Sequence, residues 1–167
     1  MNDKLTITGL LATTTDGVIG LNGKLPWNYP EELAHFRDIT KNQILILGRK
    51  TYDSIPKKFL NDRFSIVLSK SSYNNTENAI FLNSTQECLE YLKTLKSNRK
   101  IFMIGGSEIT DQFISQNLLS KFILSIIYKY YEGDSFINLG YFKNWEREKV
   151  TLYNDFSIYY LNNPSFN

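Results

Sequence analysis

The segment LPWNYPEELAHF, residues 25–36, holds Trp27, the adjacent carboxylates Glu31 and Glu32, and the only histidine of the chain, His35. Acidic residues are common in the first turn of a helix, where they complement the positive end of its dipole, and Pro30 suits the first helical position. Helical phase separates the two acids. Neighbouring residues are turned ~100° apart, so Glu32 shares a face with Phe36 while Glu31 points elsewhere. A carboxylate set against Leu33 and Phe36 is costly to desolvate unless a ligand with paired N–H donors meets it, which makes Glu32 the candidate acid. His35 is the one imidazole on which a Ser/His/Asp or Cys/His nucleophile could be built. One cysteine, Cys88, rules out a disulfide within the chain, and with a single histidine it rules out Cys/His zinc clusters. No metal is expected.

Two further segments suit anions. In GRKTYDSI, residues 48–55, a buried strand runs into a helix start that carries Arg49 and Lys50, so backbone N–H groups, the helix dipole and two cations converge. The plainer reading is a solvated basic turn. In IGGSE, residues 104–108, a second strand passes through Gly105 and Gly106 into a helix, although this is not the spaced GxGxxG fingerprint. Two such junctions in one small sheet define one crevice, where open α/β sheets hold their ligands.

Strand and helix patterns alternate through the chain, an α/β arrangement. Strands are expected over 5–13, 43–47, 64–68, 79–82, 101–104 and 122–126, and a C-terminal hairpin over 145–153 and 156–161. The four-residue apolar runs at 44–47 and 101–104 fit a sheet covered on both faces. Helices are expected over 30–40, 48–55 (stopped by Pro56), from Ser84, and from 107 through Ile114. Ser84 and Glu87 form a capping box ahead of a face made by Cys88, Leu89, Leu92 and Leu95, which makes Cys88 a core residue. Residues 14–29, rich in Gly and Asn, read as a long binding loop. The 167 residues, 42% apolar, suffice for one domain spanning 1–167, and 19 basic against 17 acidic side chains give a net charge of +2 that nominates no macromolecular partner. No apolar run exceeds four residues, so no membrane span is expected and the protein is expected to be cytoplasmic.

The motifs DGVIG (16–20), LPWNYPEELAHF, LGRKTYDSI (47–55), the strand ending in Leu68-Ser69-Lys70, IGGSEI (104–109) and EGD (132–134), in this order, resemble the dihydrofolate reductase family. The resemblance covers the chain almost end to end. It implies an eight-stranded, mostly parallel sheet with an antiparallel C-terminal strand and four flanking helices. It also implies NADPH-dependent reduction of 7,8-dihydrofolate to tetrahydrofolate for thymidylate and one-carbon synthesis, by a monomer. Carried over by position, Glu32 is the buried acid that holds the pterin, Trp27 orders water near it, and Ser125 supports the acid through water. Leu10, Leu11 and Ile104 present backbone groups to the pterin; Leu33, Phe36 and Ile55 line its pocket; Arg63 grips a carboxylate of the glutamate tail. Ala12, Ile19, Gly48, Arg49, Lys50, Thr51, Leu68, Ser69, Lys70, Gly105, Gly106, Ser107, Glu108 and Ile109 fall at cofactor positions, with a cis peptide implied between the two glycines and a mobile loop over 19–24.

Three positions depart from the family pattern. Thr110 stands where many relatives carry a phenol near the nicotinamide. Glu108 stands where some carry an arginine toward the cofactor 2′-phosphate, a deficit that Lys70 could offset. The acid is Glu rather than Asp. His35 is expected at the surface or behind the site. Two alternatives remain: the reductase of riboflavin synthesis, which lacks the Trp-Asn-x-Pro-Glu-Glu arrangement, and a catalytically silent nucleotide-binding module that also binds RNA through Lys57, Lys58 and Arg63.

Overall fold

The computed structural model describes residues 4–71 and 73–166. In chain order the elements are β1 (Thr8–Thr14), β2 (Val18–Gly20), α1 (Pro30–Thr40), β3 (Ile44–Gly48), α2 (Arg49–Ser54), α3 (Lys57–Leu60), β4 (Phe64–Leu68), β5 (Ala79–Leu82), α4 (Thr85–Thr94), β6 (Ile101–Met103), α5 (Ser107–Ser115), β7 (Lys121–Ile127), β8 (Ser135–Phe136), a 3₁₀ turn (Leu139–Phe142), β9 (Glu146–Leu152) and β10 (Phe156–Asn162). Eight strands form one sheet in the order β5-β4-β3-β6-β1-β7-β10-β9. Neighbours from β5 to β7 pair in parallel, and β10 runs antiparallel to both β7 and β9.

The apolar run of β3 is what a strand covered on both faces requires: Leu45, Ile46 and Leu47 are fully buried. On one side Leu45, Leu47, Val67 and Phe102 pack beneath Phe36 and Ile39 of α1, Tyr52 of α2 and Phe59 of α3. On the other, Ile46, Ile66 and Met103 pack beneath Cys88 and Leu92 of α4 and Phe113 of α5. Cys88 is core, as its helical face predicts, and burial pushes its thiol pKa up to about 12. Gly9 in β1 is required by its neighbour, since a Cβ there would lie 2.3 Å from the Phe122 ring.

Two expectations are corrected. There are five α-helices rather than four, because Pro56 ends α2 and itself begins the single turn of α3, with Phe59 N–H donating to the Pro56 carbonyl (3.0 Å). The segment 14–29 is not wholly loop. Val18 pairs with Phe136 and Gly20 with Ser135 in a separate two-stranded sheet, too short for an alternating pattern to register in sequence. The strand at 5–13 begins at Thr8, and the other seven expected strands lie within a residue or so of their observed bounds.

Candidate active site

A cleft of about 1690 Å³ opens along the C-terminal ends of β1, β3, β4 and β6, where parallel sheets expose loop and helix-start backbone. A second depression, of about 1210 Å³, lies at the opposite strand ends among Lys93, Lys96, Arg99 and Lys100. Its one carboxylate, Glu148, is exposed. The first cleft contains the buried acid and is the candidate site.

Every residue to which the resemblance gives a catalytic, substrate or cofactor role lines that cleft except Ser125 and Gly105. The phase assigned to α1 holds: Glu32 is 6% exposed, whereas Glu31 faces solvent. Ser125, on β7 behind the cleft wall, donates its hydroxyl directly to Glu32 Oε1 at 3.2 Å, where the resemblance implied a bridging water. Among the described residues Ser125 is the only donor to this carboxylate, and burial raises its pKa above the ordinary range while the Ser125 bond works against the rise. Trp27, also buried, carries an Nε1 donor with no protein acceptor among the described residues. One turn beyond Glu32, His35 is half-buried, with Nε2 3.1 Å from the Tyr160 hydroxyl, and burial lowers its pKa. The paired strands β7 and β10 thus anchor α1 twice, at Ser125 and at Tyr160, which fixes the rotation that turns Glu32 inward.

At one end of the cleft Phe36 stacks on Phe59 (ring centroids 5.6 Å apart), and the Arg63 guanidinium lies 3.7 Å over the Phe59 ring. Arg63 is 3% exposed and tightly held. Nε donates to Thr40 Oγ1 (3.0 Å), Nη1 to the Phe59 carbonyl and to Asp62 Oδ1 (2.6 Å each), and Nη2 to the Arg37 carbonyl (2.8 Å).

At the other end, the starts of α2 and α5 face each other across the sheet edge. Gly48 N–H donates to the Gly105 carbonyl (2.9 Å), the Gly105–Gly106 peptide is cis, and Gly105 has φ +102°. Gly105 is therefore a backbone position behind the wall, where a Cβ would meet Leu11 at 3.1 Å, while Gly106 and Ser107 face the cleft. Arg49, Lys50, Thr51, Ser69, Lys70 and Ser107 surround this end. Arg49 makes an exposed ion pair with Asp53 (3.2 Å), and Glu108 is exposed. Thr110 is fully buried, and its hydroxyl donates back to the Gly106 carbonyl (2.8 Å) instead of entering the cleft. The turn at 21–24, with Asn22 at φ 51° and Gly23 at φ 76°, forms the remaining wall, and Asn22 N–H donates to Asp134 Oδ2 (3.1 Å).

Sequence reasoning missed Phe59, Asp62, Ser71 and Gln112, all of which line the cleft. Phe59 rides on the turn hidden behind Pro56. Asp62 precedes Arg63 and carried no pattern of its own.

A mostly parallel α/β sheet whose cleft holds, among the described residues, one buried acid and is bounded by cations at both ends is the arrangement of an enzyme that acts on a small molecule. Residues 6–158 match the family model described as dihydrofolate reductase. The chain is 34% identical to the dihydrofolate reductase of Ureaplasma parvum over 151 residues, covering 90% of this chain and 92% of that protein. It is 31% identical to that of Mycoplasma genitalium (92% and 96% covered) and 32% identical to that of Lactococcus lactis (78% and 76%). The chain belongs to the dihydrofolate reductase family.

Proposed function

We propose that this chain reduces 7,8-dihydrofolate to 5,6,7,8-tetrahydrofolate with NADPH as hydride donor, supplying thymidylate and one-carbon synthesis. The observation that carries the reading is Glu32, a carboxylate buried at the cleft wall with a single protein donor among the described residues. Such a group needs further N–H donors, and the amino group and adjacent ring N–H of a pterin are a matched pair. Leu10, Leu11 and Ile104 offer backbone groups to the same ring, and Leu33, Phe36 and Ile55 offer apolar contact.

The residues at the α2 and α5 end fit a phosphorylated dinucleotide. A Cβ built on Gly106 would meet Thr51 Oγ1 at 3.4 Å and no other atom within 4 Å, so without one the chain backbone can be approached closely. Arg49, Lys50 and Lys70 supply charge; Thr51, Ser69 and Ser107 supply hydroxyls. Ala12, Ile19, Gly48, Leu68, Gly105, Glu108 and Ile109 complete the set assigned to the cofactor. When bound, NADPH supplies the hydride.

Reduction adds a hydride to the pterin carbon and a proton to the adjacent ring nitrogen. Glu32 fixes the ring by its paired donors and stabilises the positive charge that protonation places on the ring and that the hydride then neutralises. Ser125 orients the carboxylate. Trp27 Nε1, buried with no protein acceptor among the described residues, suits a water that relays the proton from solvent. Arg63 takes a carboxylate of the glutamate tail. No metal enters this account. The reading includes one domain acting as a cytoplasmic monomer; among the described residues no helix is long and apolar enough to cross a membrane.

The test is loss of reduced-nicotinamide absorbance on mixing protein, NADPH and dihydrofolate. Turnover that requires both substrates supports the proposal. Turnover with the pyrimidinone of riboflavin synthesis but not with dihydrofolate would replace it with the alternative reductase, and binding of NADPH without any turnover would leave a silent nucleotide-binding module.

A further inference from the structure

We propose that Asp62 sets the affinity of this enzyme for the glutamate tail of its substrate, by occupying in the free protein the arginine that the tail must bind. The inference rests on the reading of Arg63 as the tail-binding residue and adds to it a competitor built into the chain.

A guanidinium has five N–H donors, and it binds a carboxylate best as a fork, through parallel bonds from two nitrogens. Four donors of Arg63 are engaged: one at Nε, two at Nη1 and one at Nη2. What remains is one N–H at Nη2, a single prong. The partners differ in kind. The Phe59 and Arg37 carbonyls are backbone, and Thr40, which receives the Nε bond, is fully buried and itself tied to the Phe36 carbonyl (2.7 Å). These three orient the guanidinium and cannot leave. The fourth, Asp62 Oδ1 at 2.6 Å, is the only charged partner, and its side chain is 44% exposed against 2% for that of Arg63. Asp62 can swing into solvent; its backbone carbonyl, which accepts from Asn42 N–H (3.0 Å), need not move.

Both residues line the cleft. Dihydrofolate brings a glutamate with two carboxylates, so one of these regains the fork only by replacing Asp62, and the displaced acid stays nearby as a like charge. Asp62 therefore acts as an internal stand-in for the substrate carboxylate. In the free enzyme it keeps a buried guanidinium paired, and on binding it turns the gain of an ion pair into an exchange of one for another. The tail contributes less to affinity than an unencumbered arginine would give, and the product, which carries the same tail, leaves more readily.

The experiment is equilibrium titration of the whole enzyme with dihydrofolate and with the tail-less 6-methyl-7,8-dihydropterin, using wild type, D62N, D62G, D62E and R63K. D62N and D62G should tighten dihydrofolate by about two- to fivefold, the range of an ion pair whose carboxylate is solvent-exposed. They should leave the tail-less pterin unchanged, and D62E should restore wild-type affinity. KM for dihydrofolate should fall by the same factor. If R63K weakens dihydrofolate selectively but D62N and D62G do not tighten it, the competition is refuted and the Arg63 reading stands. Should R63K also fail to distinguish the two ligands, Arg63 does not bind the tail and both ideas fall. Equal weakening of both ligands by D62N and D62G would make Asp62 a structural residue and overturn the proposal.

Discussion

Glu32→Gln should stabilise the fold at alkaline pH while disabling the enzyme. Burial raises the folded-state pKa of Glu32 above that of the unfolded chain. Below the ordinary carboxylate range both states are protonated, and the group is neutral toward stability. As pH rises, the unfolded state ionises first, and folding must then retain a proton or bury a charge, so stability falls until the folded-state pKa is passed and the deficit levels off. Glutamine keeps the size and the Ser125 hydrogen bond without that deficit. An ionised carboxylate has about four acceptor sites, and here one hydrogen bond from protein serves them. Burial of a polar group so incompletely compensated costs about 1–3 kcal/mol on protein mutational scales. For a chain of this length each kcal/mol is worth ~2–4 °C in Tm. Urea unfolding of wild type and Glu32→Gln at pH 4 and pH 8 reads the effect directly. The variant should match wild type at the lower pH and exceed it at the higher. A variant that is less stable at pH 8, or whose advantage does not grow with pH, would show that Glu32 is not a destabilised buried acid.

Ser125→Ala removes the only donor to Glu32 among the described residues and so raises its pKa further. The break in the pH dependence of hydride transfer that reports Glu32 should move to higher pH, and a break that stays in place would remove Ser125 from the site. Arg49→Ala should reduce the preference for NADPH over NADH, because a cation facing a 2′-phosphate makes charge-assisted hydrogen bonds worth ~1.5–3 kcal/mol; an unchanged ratio of kcat/KM for the two cofactors would misplace the phosphate. Gly9→Ala should cost ~1–3 kcal/mol in urea unfolding, since its Cβ would lie 2.3 Å from the Phe122 ring, and wild-type stability would show that Phe122 yields easily.

Fully apolar runs such as 44–47 and the capping residues Ser84 and Glu87 announce their elements locally, and the main sheet could be drawn from them. Phase alone distinguished Glu32 from Glu31. What stayed hidden depends on contacts between distant segments. The pairing of Val18 with Phe136 spans 118 residues and involves strands of three and two residues. Only the resemblance pairs Ser125 with Glu32, and there by way of water; the direct bond joins residues 93 apart, and His35 meets Tyr160 across 125. Asp62 escaped for another reason: beside Arg63 it reads as an ordinary surface pair, and only the complete set of guanidinium partners gives it meaning.

The central claim is that Glu32, held by Ser125, promotes hydride transfer to dihydrofolate. The most direct test is the single-turnover rate of NADPH oxidation by wild type, Glu31→Gln and Glu32→Gln across pH. Glu32→Gln should lose ~10²-fold or more at neutral pH, the scale of lost acid-base and electrostatic assistance, and should recover as pH falls and solvent supplies the proton without a plateau. Glu31→Gln, at an exposed position, should stay within about twofold of wild type. A damaged Glu31→Gln beside a normal Glu32→Gln, or two variants indistinguishable from wild type, would contradict the account.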